Sequence, residues 1–224
     1  MINLGLRDFI NGGEFLKKLH EKKKFQFLAG NVFYKDTNKP FAKPFVIRKI
    51  KAHKVEGKKL PFNSLKVGII GLCDERSILF GDNIAEPGLE SKAPASIAKE
   101  LVDKVRKKAD IVVLLYHGKY SQLRPIIAKV EGIDVVVVGG EYYRVDRIES
   151  TNPIIVTTPS MGKYVGVLTL QLDDKKNIVS SHKERLPLKE NIDSDANFVR
   201  LAADYEKAAQ ELRKEQYAKM KKSN

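Results

Sequence analysis

The sequence predicts an α/β domain built in layers, with helices flanking a sheet. Two β-branched runs carry that prediction: Ile111-Val112-Val113-Leu114-Leu115 and Val135-Val136-Val137-Val138, both apolar without interruption. Runs of this kind suit strands covered on both faces, as in a parallel sheet. The whole stretch from Ala109 to Arg144 reads as strand, loop, short helix, strand. A third observation concerns placement: His117 and Glu141 fall just past the two strand ends, where an open α/β sheet forms its binding crevice.

The other elements follow in order. Asn11 to Lys24 carries Phe15, Leu16 and Leu19 at helical spacing and predicts a short amphipathic helix. Phe25 to Phe33 reads as a strand entering a turn, and Lys35 to Pro44 as a polar loop. Phe45 to Ile50 is a strand, and Lys51 to Asn63 a lysine-rich connection. Lys66 to Leu72 (KVGIIGL) is a buried strand with glycines for tight packing. Cys73 to Ala93 is expected to be a long acidic loop, functional or covering. Pro94 opens a helix whose stripe is Ile97, Leu101, Val102 and Val105, running to about Lys108. Ile154 to Thr158 is a strand. Tyr164 to Leu172 and Asn177 to Leu186 form a hairpin across Asp173-Asp174-Lys175-Lys176. Asp195 to about Lys221 is the longest helix, capped by Asp193 or Ser194, with Phe198, Leu201, Tyr205, Ala208 and Leu212 on one packed stripe. The expected division is a domain at 1–192 and a C-terminal amphipathic helix with a basic tail at 193–224.

Composition narrows the function classes. At 224 residues the chain can bury a substantial core as one domain or one and a half. No run approaches the ~18 apolar residues of a membrane span. The opening MINLGLRDFINGGEF lacks the basic and apolar regions of a signal peptide. Either a cytosolic chain or a piece of a longer precursor fits that, so the compartment stays open. The single cysteine, Cys73, excludes an internal disulfide, a cysteine-rich zinc site and covalent haem attachment. A net charge of +13, from 41 Lys and Arg against 28 Asp and Glu, permits contact with nucleic acid or another polyanion. No arginine-rich recognition helix, RNP-like motif or zinc finger accompanies the charge, so surface decoration is the simpler reading.

The order of pieces resembles the calcineurin-like metallophosphoesterase family, in its 5′-nucleotidase branch. The resemblance runs through KVGIIGL, KKADIVVLLYHG, EGIDVVVVGG, PIIVTTPSMGKYVGVLTLQLD and the closing DSDANFVRLAADYEKAAQEL. It implies a layered sheet flanked by helices, lacking the first strands of the family fold, and a long C-terminal helix. In that family two metal ions are held by DxH, GD, GNHE, a later GH and a final GHxH motif. Such ions bind phosphate and activate water. The DxH and GD segments would lie before Met1. The GNHEFDxG element corresponds to Gly5-Leu6-Arg7-Asp8-Phe9-Ile10-Asn11-Gly12, with leucine at the ligand asparagine and arginine at the catalytic histidine. His117 matches the later histidine ligand. The final motif has become Gly139-Gly140-Glu141-Tyr142-Tyr143, with both histidines replaced.

The resemblance therefore implies a shortened, metal-less domain with no cofactor, in which His117 is a remnant ligand position. One imidazole and Glu141 are too few ligands for two ions, and Arg7 opposes cations. The expected crevice comprises Arg7, Asp8, His117, Glu141 and Tyr143, with a salt bridge and hydrogen bonds standing where metal bridges stood. Cys73, His117 and Glu141 along one sheet edge would supply a nucleophile, base and orienter. The simpler alternative is a half-buried cysteine beside a leftover histidine. His20, His53 and His182 read as surface residues.

The expected function is non-catalytic: a binding or structural subunit, or a scaffold in an assembly. Absent first strands would leave an edge or apolar face uncovered, which predicts a protein partner or self-association. Two alternatives stand beside it. One is a residual metal-dependent phosphoesterase or 5′-nucleotidase. The other is a small-ligand or polyanion binder using Arg7 and the lysine clusters.

Overall fold

The computed structural model describes residues 1–5, 7–23, 26–51, 62–76, 79–80, 83–84, 88–140, 152–158, 162–189 and 192–222. The elements begin with β1 (Ile2–Asn3), a 3-10 turn (Asp8–Asn11) and α1 (Gly13–Lys23), then β2 (Phe27–Leu28), β3 (Val32–Tyr34), β4 (Phe45–Lys51) and β5 (Ser64–Cys73). Short strands β6 (Leu79–Phe80), β7 (Asn83–Ile84) and β8 (Leu89–Ser91) precede α2 (Pro94–Arg106), β9 (Ile111–His117), α3 (Tyr120–Lys129) and β10 (Val135–Gly139). The chain continues through β11 (Ile154–Thr157), the hairpin β12 (Tyr164–Leu172) and β13 (Ile178–Pro187), and α4 (Ala196–Lys222). It divides into two compact units, Met1–Leu186 and Pro187–Asn224.

The first unit is organised on a five-stranded sheet of order β11-β10-β9-β5-β4. β5, β9, β10 and β11 run parallel and β4 runs antiparallel to β5. Register fixes which side chains share a face, because a slip of one residue would invert every strand. Ile70, Leu72, Val112, Leu114, Tyr116, Val136, Val138 and Ile155 form one face. They pack with Ala98, Leu101, Val102 and Val105 of α2 and with Leu123 and Ile126 of α3. Burial of each large side chain contributes about 1.5–3 kcal/mol, so this face dominates the stability. Gly68 brings α2 flush against the sheet, since a Cβ there would lie 2.1 Å from Val105 Cγ1.

The opposite face is covered unevenly. Strands β1 and β2 pair in parallel and approach it at β5 and β9. Asn3 Nδ2 donates to the carbonyls of Leu72 (2.9 Å) and Leu115 (3.2 Å). A Cβ at Gly71 would strike Asn3 Oδ1 at 2.4 Å, so this strand pair also needs a glycine to seat it. Beneath it, Leu4, Phe9, Leu16, Phe27, Ala29, Val32, Cys73 and Leu89 make a second apolar cluster. Farther along the same face Val113, Leu115 and Val156 are half-buried, and Val137 is 38% exposed.

Three expectations are refined. The strand entering a turn expected at Phe25 to Phe33 is, over the described residues, a two-residue strand and a turn at Ala29-Gly30-Asn31, after which a second strand starts at Val32. The turn is fixed by Gly30 N–H donating to Gly71 O (2.7 Å) and by the buried Asn31 side chain. The stretch after Cys73 is not wholly loop, because β8 pairs antiparallel with β3 and buries Leu89. The cap of α4 is Asp195, one residue past the expected Ser194: its Oδ1 accepts the Phe198 amide at 3.0 Å. In this second unit Phe198 and Tyr205, on the stripe expected to pack, are 67% and 73% exposed. An amphipathic pattern marks a face that favours cover without specifying what covers it.

Candidate functional site

His117 is the last residue of β9, and the register sets it between Cys73 at the end of β5 and Gly139 at the end of β10. Backbone encloses its ring. A Cβ at Gly5 would lie 2.3 Å from Nδ1, and one at Gly140 would lie 2.9 Å from Cε1 and Nε2. Gly140 also has φ +87°, a conformation that favours glycine. The Nδ1 atom is buried and has no hydrogen-bond partner among the described residues.

Asp8 holds Gly5 in that position. Its Oδ2 accepts the Gly5 amide at 2.7 Å, and its own amide donates to Gly5 O at 3.1 Å. Asp8 is exposed, and this closed turn presses the N-terminal segment onto the His117 ring. Arg7 is also exposed, beside the start of the 3-10 turn. Glu141 and Tyr143, the remaining expected crevice residues, lie outside the described residues, as do Leu6 and His53. His20 and His182 are exposed, as the sequence predicts.

Cys73 is brought beside His117 in register, and its amide and thiol both reach Asn31. It is fully buried, and both its amide (2.9 Å) and its thiol (3.4 Å) donate to Asn31 Oδ1. Asn31 Nδ2 in turn donates to Cys73 O (2.8 Å), Lys92 O (2.8 Å) and Ser91 Oγ (3.2 Å). A fully buried thiol bonded in this way lacks the exposure of a reactive nucleophile. Of the two readings of Cys73, this geometry fits the simpler one, a buried cysteine at the strand end whose thiol donates to Asn31. Asn31 itself escaped the sequence reading. A buried asparagine between apolar residues looks, as a letter, like the asparagine of an exposed turn.

Two divalent ions would need a ring of carboxylate, imidazole and amide donors. Asp74, the residue after Cys73 at the end of β5, accepts the Arg76 amide at 2.9 Å, and its own amide donates to His117 O. Among the described residues no three His, Cys, Asp or Glu side chains gather as ligands. The buried nitrogen of His117 lies against the Gly5 backbone and meets no second ligand among the described residues. The described residues do not fit a dinuclear centre.

The comparisons give first a fold class. The chain superposes on a calcineurin-like phosphoesterase, YfkN from Bacillus subtilis, with TM-score 0.70 at 19% identity, covering 89% of this chain and 67% of that one. It superposes on a 5′-nucleotidase precursor from Thermus thermophilus with TM-score 0.68 at 20% identity, covering 94% and 43%. The fold is that of calcineurin-like phosphoesterases. In sequence the homologues are 5′-nucleotidases and metallophosphoesterases. Human 5′-nucleotidase is 26% identical over 218 residues, and the uncharacterized metallophosphoesterase YunD of Bacillus subtilis is 25% identical over 170. The alignment covers 87% of this chain but 36% of the human protein, so the chain spans about a third of the length of the curated relatives it matches. No protein-family model matches it.

Proposed function

We propose that this 5′-nucleotidase-like domain is non-catalytic and serves as a binding or structural subunit of an assembly. The observation that carries the proposal is the second face of the central sheet. Leu115, Val137 and Val156 are register neighbours across β9, β10 and β11, with Val113 two residues before Leu115. Val137 is exposed, β1 and β2 cover the neighbouring part of the face at β5 and β9, and the β12–β13 hairpin meets Val137 and Val156 across a cavity of about 480 Å³. Apolar surface of this kind, continuous with a strand pair that ends after two residues, is what a protein partner or a second copy would bury. The site residues agree with the proposal. His117 is enclosed by glycine backbone, and Leu6 and Arg7 stand where the resemblance expects a ligand and a catalytic histidine.

The test is the mass in solution of the parent chain and of Val137→Asp, measured across a concentration series. Association of the parent, lost in a variant that keeps its fold, supports the face as the interface. A parent that stays at one chain at every concentration and captures no partner through this face overturns the proposal.

The homologues favour a second reading, residual metal-dependent phosphoester hydrolysis. Turnover of a nucleoside monophosphate that needs added manganese or zinc and is lost in His117→Ala would establish it.

A further inference from the structure

A cavity of about 570 Å³ lies away from the His117 crevice, between α1 and the segment that joins β3 to β4. Its volume falls within the range of small-molecule sites. The walls are apolar and held in place: Leu16 and Phe27 belong to the second core, and Pro40, Phe41 and Ala42 face them across the opening. Phe41 is braced by two rings, with centroids 5.6 Å from Phe9 and 5.7 Å from Tyr34. The His20 ring rests against Phe27 at 6.0 Å.

The rim is charged, and mostly of one sign. Lys17, Lys39 and Lys43 stand around the opening with Glu21 as the acidic member. Lys17 is already paired with Glu14 and lies over the Tyr34 ring. The ammonium groups of Lys39 and Lys43 are exposed and form no ion pair among the described residues. An apolar pocket of fixed shape with two unengaged cations at its mouth complements a molecule with an apolar body and one anionic end.

We propose that this cavity binds a small amphiphilic carboxylate, its aliphatic or aryl body on Phe27 and Phe41 and its carboxylate at Lys39 and Lys43. The inference is independent of the assembly role, because neither the open sheet face nor His117 contributes to the cavity.

The experiment is calorimetric titration of the whole chain with decanoate and with 4-phenylbutyrate. Decyltrimethylammonium and decanol serve as probes of the same body with the wrong end. Each would be repeated on Lys39→Glu/Lys43→Glu, which alters only exposed side chains. Saturable binding of one carboxylate per chain, at least tenfold tighter than either control and at least tenfold weaker in the double variant, is expected. Which carboxylate binds distinguishes an acyl from an aryl ligand. Absence of saturable binding by both carboxylates, equal binding of the trimethylammonium probe, or an unchanged affinity in the double variant overturns the proposal.

Discussion

The Gly5 backbone and the His117 imidazole lie in direct contact, so close that a Cβ on residue 5 would fall 2.3 Å from Nδ1. One glycine of the N-terminal turn thus occupies the space beside the sole histidine at the strand ends that the resemblance identified. The Asp8 carboxylate fixes that glycine by accepting its amide.

Gly5→Ala is therefore expected to destabilise the first unit by about 1–3 kcal/mol through overpacking. The loss should shrink when His117→Ala is added, because the smaller side chain restores the clearance. Denaturant melts of the two single variants and the double variant measure the coupling. Additive losses would mean that the two residues do not share the space described.

Asn31→Leu removes the partner of the Cys73 amide and four further hydrogen bonds, the thiol's among them, from a fully buried position. Backbone groups at Cys73 and Lys92 would be left without partners, each costing about 1–3 kcal/mol. A drop of several degrees in the melting temperature is expected. An unchanged melting temperature would show that water or a rearranged turn replaces the side chain.

The Cys73 thiol should react slowly with an aromatic disulfide reagent in the native chain and at once in denaturant. A fast native reaction would restore the case for an accessible thiol beside His117.

Asp110 gives a pH dependence. Burial pushes its carboxyl up, but the Lys66 amide at 2.7 Å and the Lys176 ammonium at 3.0 Å outweigh burial and leave its pKa below the usual aspartate value. A depressed folded value means stabilisation that is fully present above the ordinary aspartate range and is lost as pH falls through the lowered value. Asp110→Asn should cost roughly 1 kcal/mol at pH 7, and the gap to the parent should close in acid as pH falls through the lowered value. A gap that persists in acid would assign the effect to packing.

Much of the fold was legible because its signals are local. The β-branched runs at 111–115 and 135–138 became β9 and β10, Pro94 became the first residue of α2, and β12 spans Tyr164–Leu172 as its alternation predicts. The tight-packing glycines of KVGIIGL were legible too, and Gly68 and Gly71 seat α2 and the β1–β2 pair. The site was less legible because its determinants join distant parts of the chain. Gly5 against His117 and Asn31 against Cys73 are contacts that no periodicity announces. The strand β8 contributes only three residues, too few for alternation to show.

Metal content is the most direct test of the central proposal, that the His117 crevice is not a dinuclear hydrolytic centre. The purified chain would be equilibrated with manganese and zinc, dialysed, and analysed by plasma mass spectrometry, with hydrolysis of a nucleoside monophosphate followed on the same sample. Metal far below one ion per chain and no turnover above the His117→Ala background is the predicted result. One or two ions per chain, lost together with turnover in His117→Ala, would contradict it.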